Sequence, residues 1–409
     1  MENTVFAHQA PPSISGAPAL ERPGISSSSL SDPYPNQSIR PNRFFHCVCL
    51  FVLFAVASAA SFSSFYQKWH FREAGVRGYD PGAPFDQMID GTASRPYVYR
   101  QLLPDVANWL TRTMPIQALS RRFPERVRQR IDTAFNLSSK THPVQYLIVY
   151  IATYLAALLA AFALYLVCRA VDLPPPVAVF TPVIFMLLFP LFGIKGGYFF
   201  DYPELLFMAA AAWIALRSNW WWLIPVAALG TWNKESFLLF ILTLYPLLRR
   251  RYSRLFSVLA VCILVAVCIA VYIPIRFRFA HNPGGALEFH LKDQVAFYLH
   301  PFQMDTWIDR TYDLMFPALS APVPTLLIIW VVSRAWRHLP LWLKRHAQLA
   351  AVINFPLYFL FCQPGEYRDL SLLYISCLLV IATTLHQWMR QSAQLDSSLA
   401  AQPQIESAR

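Results

Sequence analysis

Ionisable residues of the kinds used in group transfer occur in four short stretches of this chain. A carboxylate can act as general base on an acceptor hydroxyl, whereas Arg or Lys can neutralise a phosphate group as it leaves. Both kinds of residue are present in the first stretch and in the last two, so the sequence predicts chemistry on a phosphorylated substrate. The residues are Asp80, Asp86, Asp90, Arg95 and Arg100, then Asp201 and Glu204, then Asn233, Lys234 and Glu235, and finally Glu366 and Arg368.

Each group also has a structural interpretation. Asp201 and Glu204 can be acids in the first turn of a helix, where they interact favourably with the helix dipole. Lys234 and Glu235 can form an ion pair in a helix hairpin. Arg95 and Arg100 can anchor an interfacial helix to lipid headgroups.

The sequence predicts no metal site, no disulfide and no cofactor. His281, His290 and His300 lie near Glu288 and Asp293, but their spacing of nine and ten residues matches no compact metal motif. The seven cysteines fall in or beside apolar runs, which is typical of small core residues. They are Cys47, Cys49, Cys168, Cys262, Cys268, Cys362 and Cys377.

Composition indicates a chain whose main solvent is lipid. Of 409 residues, 56% are hydrophobic and only 14% are charged. The net charge of +11 would suggest a polyanion partner in a soluble protein. In a multi-pass membrane protein, the same excess comes from cytoplasmic Lys and Arg, so we predict membrane lipids and not nucleic acid as the partner.

The chain is predicted to have three parts. Residues 1–43, rich in Pro and Ser, are predicted to be a disordered cytoplasmic tail. Residues 44–390 form the transmembrane domain, and 391–409 a second cytoplasmic tail. The first apolar run, 44–65, contains a small-residue string typical of a cleaved signal peptide, but its length favours an uncleaved anchor. Further apolar runs are 144–167, 176–193, 202–217, 220–232, 237–249, 255–275, 314–333, 347–362 and 370–388.

The runs 220–232 and 237–249 allow two topologies. They can form one long helix, or two short helices with a break at 233–236. The positive-inside rule favours the break, because the arginine cluster at 249–254 then returns to the cytoplasm. We therefore predict an all-α protein of about ten transmembrane helices in the inner membrane, with both termini cytoplasmic. The cytoplasmic basic residues are then Arg169, Arg217, the 249–254 cluster, Arg334, Arg337, Lys344, Arg345 and Arg390.

The long first extracytoplasmic loop, 66–143, is predicted to contain two interfacial helices. Apolar residues recur there at helical spacing in two segments. They are Leu102, Leu103, Val106, Trp109 and Leu110 in the first segment, and Phe123, Val127, Ile131 and Phe135 in the second.

The polar stretches resemble a diffuse group of bacterial membrane proteins related to GT-C-type glycosyltransferases. The similarity rests on Ile-Asp-Gly-Thr at 89–92, Arg-Pro-Tyr-Val-Tyr-Arg-Gln-Leu-Leu-Pro at 95–104, Tyr-Pro-Glu-Leu-Leu at 202–206, Trp-Asn-Lys-Glu-Ser at 232–236 and Gly-Glu-Tyr-Arg at 365–368. It implies a multi-helix enzyme that transfers a sugar, with inversion, from a polyprenyl-phosphate donor. It also implies an acidic catalytic residue in the first loop.

Within this resemblance, Asp90 is favoured as the base because it lies in a matched stretch, with Asp80 second and Asp201 and Glu204 as further catalytic candidates. The predicted substrate-binding residues are Arg95, Tyr99, Arg100, Asn233, Lys234, Glu235, Glu366 and Arg368.

The competing class is non-enzymatic, a transporter of a lipid-linked substrate or an envelope-assembly scaffold. Convergence of the charged groups on one groove favours the enzyme, and local pairing favours the alternative.

Overall fold

The computed structural model describes residues 43–72, 85–114, 124–137, 140–193, 197–285, 289–300 and 308–401. These residues form a helical bundle with one two-stranded antiparallel hairpin. The helices are α1 (Arg43–Trp69), α2 (Phe85–Asp90), α3 (Leu102–Thr113), α4 (Glu125–Phe135), α5 (Pro143–Ala170), α6 (Pro175–Leu188), α7 (Asp201–Arg217), α8 (Leu223–Asn233), α9 (Phe237–Thr243), α10 (Tyr245–Leu248), α11 (Arg254–Arg278), α12 (Leu291–Leu299), α13 (Pro322–His338), α14 (Leu341–Phe361) and α15 (Tyr374–Ala401), and the strands are β1 (Ile308–Thr311) and β2 (Leu314–Pro317).

Five helical segments in the described part of the chain are long and apolar enough to cross a membrane. They are Phe44–Lys68, Pro143–Ala170, Pro175–Phe192, Arg254–Arg278 and Ser371–Gln394. This finding confirms the coarse prediction of a helical protein with apolar segments suited to a membrane. The other predicted spans overlap helices that are shorter or more polar, so ten crossings remain a prediction.

Local sequence explains where the long helices begin. Proline occupies the first position of α5 and α6, where its missing N–H costs no hydrogen bond. Ser253 precedes α11, and its hydroxyl accepts a hydrogen bond from the backbone N–H of Phe256.

Small residues bring α5 and α7 together at the centre of the bundle. The two helices pack against each other, and both contain buried alanines, including Ala157 and Ala161 of α5 and Ala211 and Ala212 of α7. Because small side chains let helix backbones approach closely, van der Waals packing can hold the pair where lipid provides no hydrophobic driving force.

The two ends of the bundle differ in character. At one end, Arg251 donates to the carbonyl of Ser218 and Arg250 lies 3.6 Å from Asp172. We call this the arginine end. At the other, which we call the site end, lie Asp201, Lys234 and Arg368.

The chain therefore reverses at the break that the sequence predicts. Helix α8 runs from the arginine end to the site end and stops at Asn233, Lys234 is extended, and α9 with α10 returns to the arginine end. A continuous helix through this region is excluded. Gly230 allows the close approach, because a Cβ there would lie 2.6 Å from the Phe237 ring.

Three segments refine the predicted boundaries. Residues 314–317 are a strand and not the start of a helix, since Tyr312 and Asp313 have positive φ and turn the chain into a hairpin. The last helix continues to Ala401, so it extends beyond the apolar run 370–388 and into the predicted tail 391–409. The two expected helices of the first loop are present as α3 and α4, although Phe123 lies outside the described residues.

Candidate functional site

Lys234 lies at the centre of the site end, in the break between α8 and α9. Its ammonium nitrogen is 2.8 Å from Glu204, 3.6 Å from Asp369 and 3.8 Å from Asp201. Only 5% of the Lys234 side chain is exposed. A buried charge requires paired partners, and these three carboxylates provide them.

Glu204 joins three parts of the chain. One carboxylate oxygen bonds Lys234, and the other accepts from the hydroxyls of Ser236, at 2.7 Å, and Ser371, at 2.8 Å. The first turn of α7 is thereby fixed to the helix break and to the segment before α15. Glu204 therefore forms tertiary contacts and does not act only on the dipole of its own helix.

Arg368 forms the second basic centre of the site end. Its guanidinium lies 3.3 Å from both Asp201 and Glu366, and 4.7 Å from the centre of the Tyr198 ring. The Asp201 carboxylate also accepts from the backbone N–H of Tyr198 at 2.8 Å. The Arg368 Nε atom is buried without a hydrogen-bond partner in the described part of the chain.

Arg100 brings the first loop to this cluster. Its guanidinium donates to Glu235 at 3.1 and 3.4 Å and lies 4.6 Å from the Phe200 ring, the same ring that Lys234 approaches at 5.8 Å. Burial would raise the pKa of Glu235, but Arg100 outweighs that effect and lowers it. The pairing with Arg100 therefore favours the ionised form of Glu235.

These residues define what we call the charge cluster. Among the described residues it contains five carboxyl groups and three basic groups, and Asn233 borders it by donating to the Phe200 carbonyl at 2.9 Å. The basic groups are thus already matched by carboxylates, which leaves little net attraction for an anion. The members are Arg100, Asp201, Glu204, Lys234, Glu235, Glu366, Arg368 and Asp369.

Asp90 lies at the same end of the bundle but outside the cluster contacts. It ends α2, its side chain is 50% exposed, and His142 Nε2 lies 3.0 Å from its carboxylate. The ring centre of Phe85, at the start of α2, lies 5.9 Å from that of Phe199. Phe199 precedes Asp201 by two residues in the sequence. The structure therefore places the accessible Asp90 carboxylate and the buried Asp201 carboxylate at the same end of the bundle.

The other first-loop candidates have separate contacts. Arg95 donates to the carbonyl of Gly284 at 2.5 Å. Tyr99 is buried, and the Arg276 guanidinium lies 4.6 Å from its ring centre. Asp80 lies outside the described residues.

No group of three or more His, Cys, Asp and Glu suited to a metal ion occurs in the described part of the chain. His290 instead lies 3.0 Å from its neighbour Asp293. Glu288, which the sequence placed near these histidines, falls outside the described residues.

The sequence did not identify several residues that complete the site end. Asp369 directly follows Arg368, which the sequence did identify, so its position next to Arg368 could have indicated that it belongs to the site. Ser371 and His142 are ordinary polar residues at helix starts, and only the packing of distant helices brings them to their partners. For Arg276, the only indication in the sequence was a charged residue at the end of an apolar run.

Comparison of the chain with protein-family models, curated proteins and solved structures finds no match. The class of protein that the fold defines is therefore a helical protein with membrane-compatible segments and a buried charge cluster at one end.

Proposed function

We propose that this protein is a membrane glycosyltransferase that moves a sugar from a polyprenyl-phosphate donor to an extracytoplasmic acceptor. In this proposal the protein lies in the inner membrane with both termini cytoplasmic, and the site end faces outward. The observation that carries the proposal is the half-exposed Asp90 carboxylate beside the His142 imidazole.

Accessibility favours Asp90 over Asp201 and Glu204 as the base. A general base must come within hydrogen-bond distance of the proton that it removes. The Asp201 and Glu204 side chains are each 1% exposed and already bonded to basic groups. Asp90 is half exposed and can meet an acceptor hydroxyl directly.

The proposed reaction is a single displacement. Asp90 takes the proton of the acceptor hydroxyl as that oxygen forms a bond to the anomeric carbon. The bond from this carbon to the phosphate oxygen breaks, and its electron pair leaves with the polyprenyl phosphate. Fixed positive charge near the leaving phosphate stabilises this transition state.

The charge cluster has a supporting role in this proposal. Arg100 belongs to the first loop and bonds Glu235 in the helix break, so this pair holds the loop against the bundle. Because Lys234 and Arg368 are matched by carboxylates, they position the loop and Asp201 and do not serve as the main phosphate ligands.

The complete matching of the buried charges also favours a second candidate function. If the cluster only stabilises helix ends, the protein is a non-enzymatic transporter of a lipid-linked substrate or an assembly scaffold. Asp90 then serves only to hold α2 against the start of α5, through His142.

A transfer assay separates the two candidates. Purified full-length protein in lipid nanodiscs is incubated with radiolabelled polyprenyl-phosphate sugars and a panel of hydroxyl acceptors. The enzyme proposal requires label in an acceptor with at least one pair, and the assignment of Asp90 as the base requires loss of that label in Asp90→Asn at equal amounts of folded protein. Absence of transfer with every pair would favour the transporter or scaffold.

A further inference from the structure

Arg276 is a positive charge in the last turn of α11 that the proposed reaction does not use. Its guanidinium lies 4.6 Å from the ring centre of Tyr99 and 5.4 Å from that of Tyr272. Tyr99 comes from the first loop and Tyr272 from α11. The two tyrosines therefore fix the guanidinium where the loop meets the bundle.

Arg276 differs from its neighbours in having no carboxylate partner among the residues that the structure describes. Within the described residues, no carboxylate oxygen lies within 4.0 Å of its guanidinium, whereas Arg278 lies 3.5 Å from Asp105 and Arg100 lies 3.1 Å from Glu235. A partly buried charge is costly without a partner. The end of the α11 dipole offsets only part of that cost.

The surroundings of Arg276 are those of a membrane-facing site. It closes the apolar segment Arg254–Arg278, and two nearby residues of the same helix are exposed, Ile273 at 45% and Phe277 at 76%. Such exposed apolar side chains are suited to contact with lipid tails. A ligand that approaches along α11 therefore carries an apolar chain.

The guanidinium specifies the other part of that ligand. Its planar donors match phosphate oxygens in pairs, and stacking on aromatic rings is compatible with this geometry. We propose that Arg276, held by Tyr99 and Tyr272, binds the phosphate group of a membrane lipid at the site end. Resting on the proposed function, this lipid is the polyprenyl-phosphate donor; a phospholipid headgroup shares the same chemistry.

A binding experiment tests the assignment in four proteins. Full-length wild type, Arg276→Gln, Arg276→Lys and Arg278→Gln are placed in nanodiscs of zwitterionic lipid and titrated with a polyprenyl monophosphate. Arg278 is the matched control, because it occupies the same turn but is paired with Asp105. Thermal unfolding of each protein verifies that it is folded.

We expect Arg276→Gln to weaken binding of the polyprenyl monophosphate about tenfold or more, as loss of a charged hydrogen-bonding group would. Arg276→Lys should be intermediate, since it keeps the charge and loses the paired donors. Arg278→Gln should stay within about twofold of wild type. An uncharged polyprenol should bind weakly to all four proteins.

Two results would overturn the assignment. If folded Arg276→Gln binds polyprenyl monophosphate with wild-type affinity, Arg276 is not part of the binding site. If polyprenol binds as tightly as polyprenyl monophosphate, the site does not recognise the phosphate group. Competition by phosphatidylglycerol as strong as that by polyprenyl monophosphate would overturn the donor as the ligand. The proposed function fails separately, in the transfer assay, and Arg276-dependent binding without any transfer would leave the phosphate site standing.

Discussion

The ammonium group of Lys234 lies 2.8 Å from the carboxylate of Glu204, and at most 5% of either side chain is exposed. Removing one partner of such a pair leaves an uncompensated buried charge, at a cost of about 3–5 kcal/mol. We therefore expect Lys234→Met to lower the melting temperature and the yield of folded protein strongly. Thermal unfolding of the purified protein in detergent measures this change.

Two variants control this experiment. Arg217→Gln removes an exposed ion pair with Asp172, which should cost less than about 1 kcal/mol. Adding Glu204→Gln to Lys234→Met removes the orphaned charge and should recover part of the lost stability. A Lys234→Met protein as stable as wild type would show that the buried pair does not stabilise the fold.

The convergence of Asp201, Lys234 and Arg368 at one end could be predicted from sequence, because all three lie at ends of apolar runs that topology places on one side. Their pairing could not. Glu204 bonds Ser371, 167 residues away, and that contact depends on how α7 packs against the start of α15. Spacing within one segment contains no information about such a contact.

In the fold, too, some elements could be predicted from the sequence and others could not. Two short apolar runs around Asn-Lys-Glu-Ser indicated a break, and Lys234 is extended there. The hairpin of Ile308–Thr311 and Leu314–Pro317 was not predicted, because Leu314 and Met315 continue the apolar pattern of the following helix. Both Tyr312 and Asp313 have positive φ in this turn; Asp adopts that conformation more readily than most residues, but Tyr does not, so the pair gave no strong turn signal.

The chain reversal at Lys234 predicts opposite accessibility for residues before and after α9 and α10. In a cysteine-free background, Ser236→Cys should react with a membrane-impermeant maleimide from the outer side, and Tyr252→Cys from the cytoplasmic side. Labelling in right-side-out and inverted vesicles gives the comparison.

Ala280→Cys provides the reference for the site end, because residue 280 is exposed just after α11. It should label from the same side as Ser236→Cys. Labelling of Ser236→Cys and Tyr252→Cys from one side would be incompatible with the reversal.

Asp369 is expected to stabilise the protein in a pH-dependent way. Burial would raise the pKa of Asp369, but Arg368 and Lys234 outweigh that effect and lower it from 3.8 to about 2. The folded state therefore holds the proton less tightly than the unfolded state. Its stabilisation is fully present above about pH 4 and is lost as the pH falls towards about 2.

The measurement compares wild type with Asp369→Asn. The melting temperature of the variant should be lower at about pH 7, and the gap should narrow between about pH 4 and pH 2. Using the difference between two proteins cancels the titration of acids that do not interact with Asp369. A gap that stays constant over this range would contradict a lowered pKa of Asp369.

The proposed base predicts a large loss of turnover without loss of fold. Asp90→Asn removes the proton acceptor at nearly constant volume, so sugar transfer should fall on the order of 10²–10⁴-fold. Asp90 is half exposed, and the melting temperature should change little. Asp201→Asn should show the opposite pattern, with reduced stability, because it removes a partner of Arg368.

Sugar transferred per mole of folded protein is the quantity to compare. Full transfer by Asp90→Asn with none by a stable Asp80→Asn or Asp201→Asn would move the base to the other acid. It would leave the enzyme proposal standing.

His142 is predicted to position the Asp90 carboxylate, since its Nε2 atom lies 3.0 Å away. We expect His142→Gln to reduce kcat by about tenfold, less than Asp90→Asn, and to leave the KM for the donor unchanged because His142 does not bind the donor. Residues that act as a unit have non-additive effects. The double variant Asp90→Asn/His142→Gln should therefore be no slower than Asp90→Asn alone. Multiplied losses in the double variant, or a raised donor KM in His142→Gln, would show that His142 acts independently of Asp90.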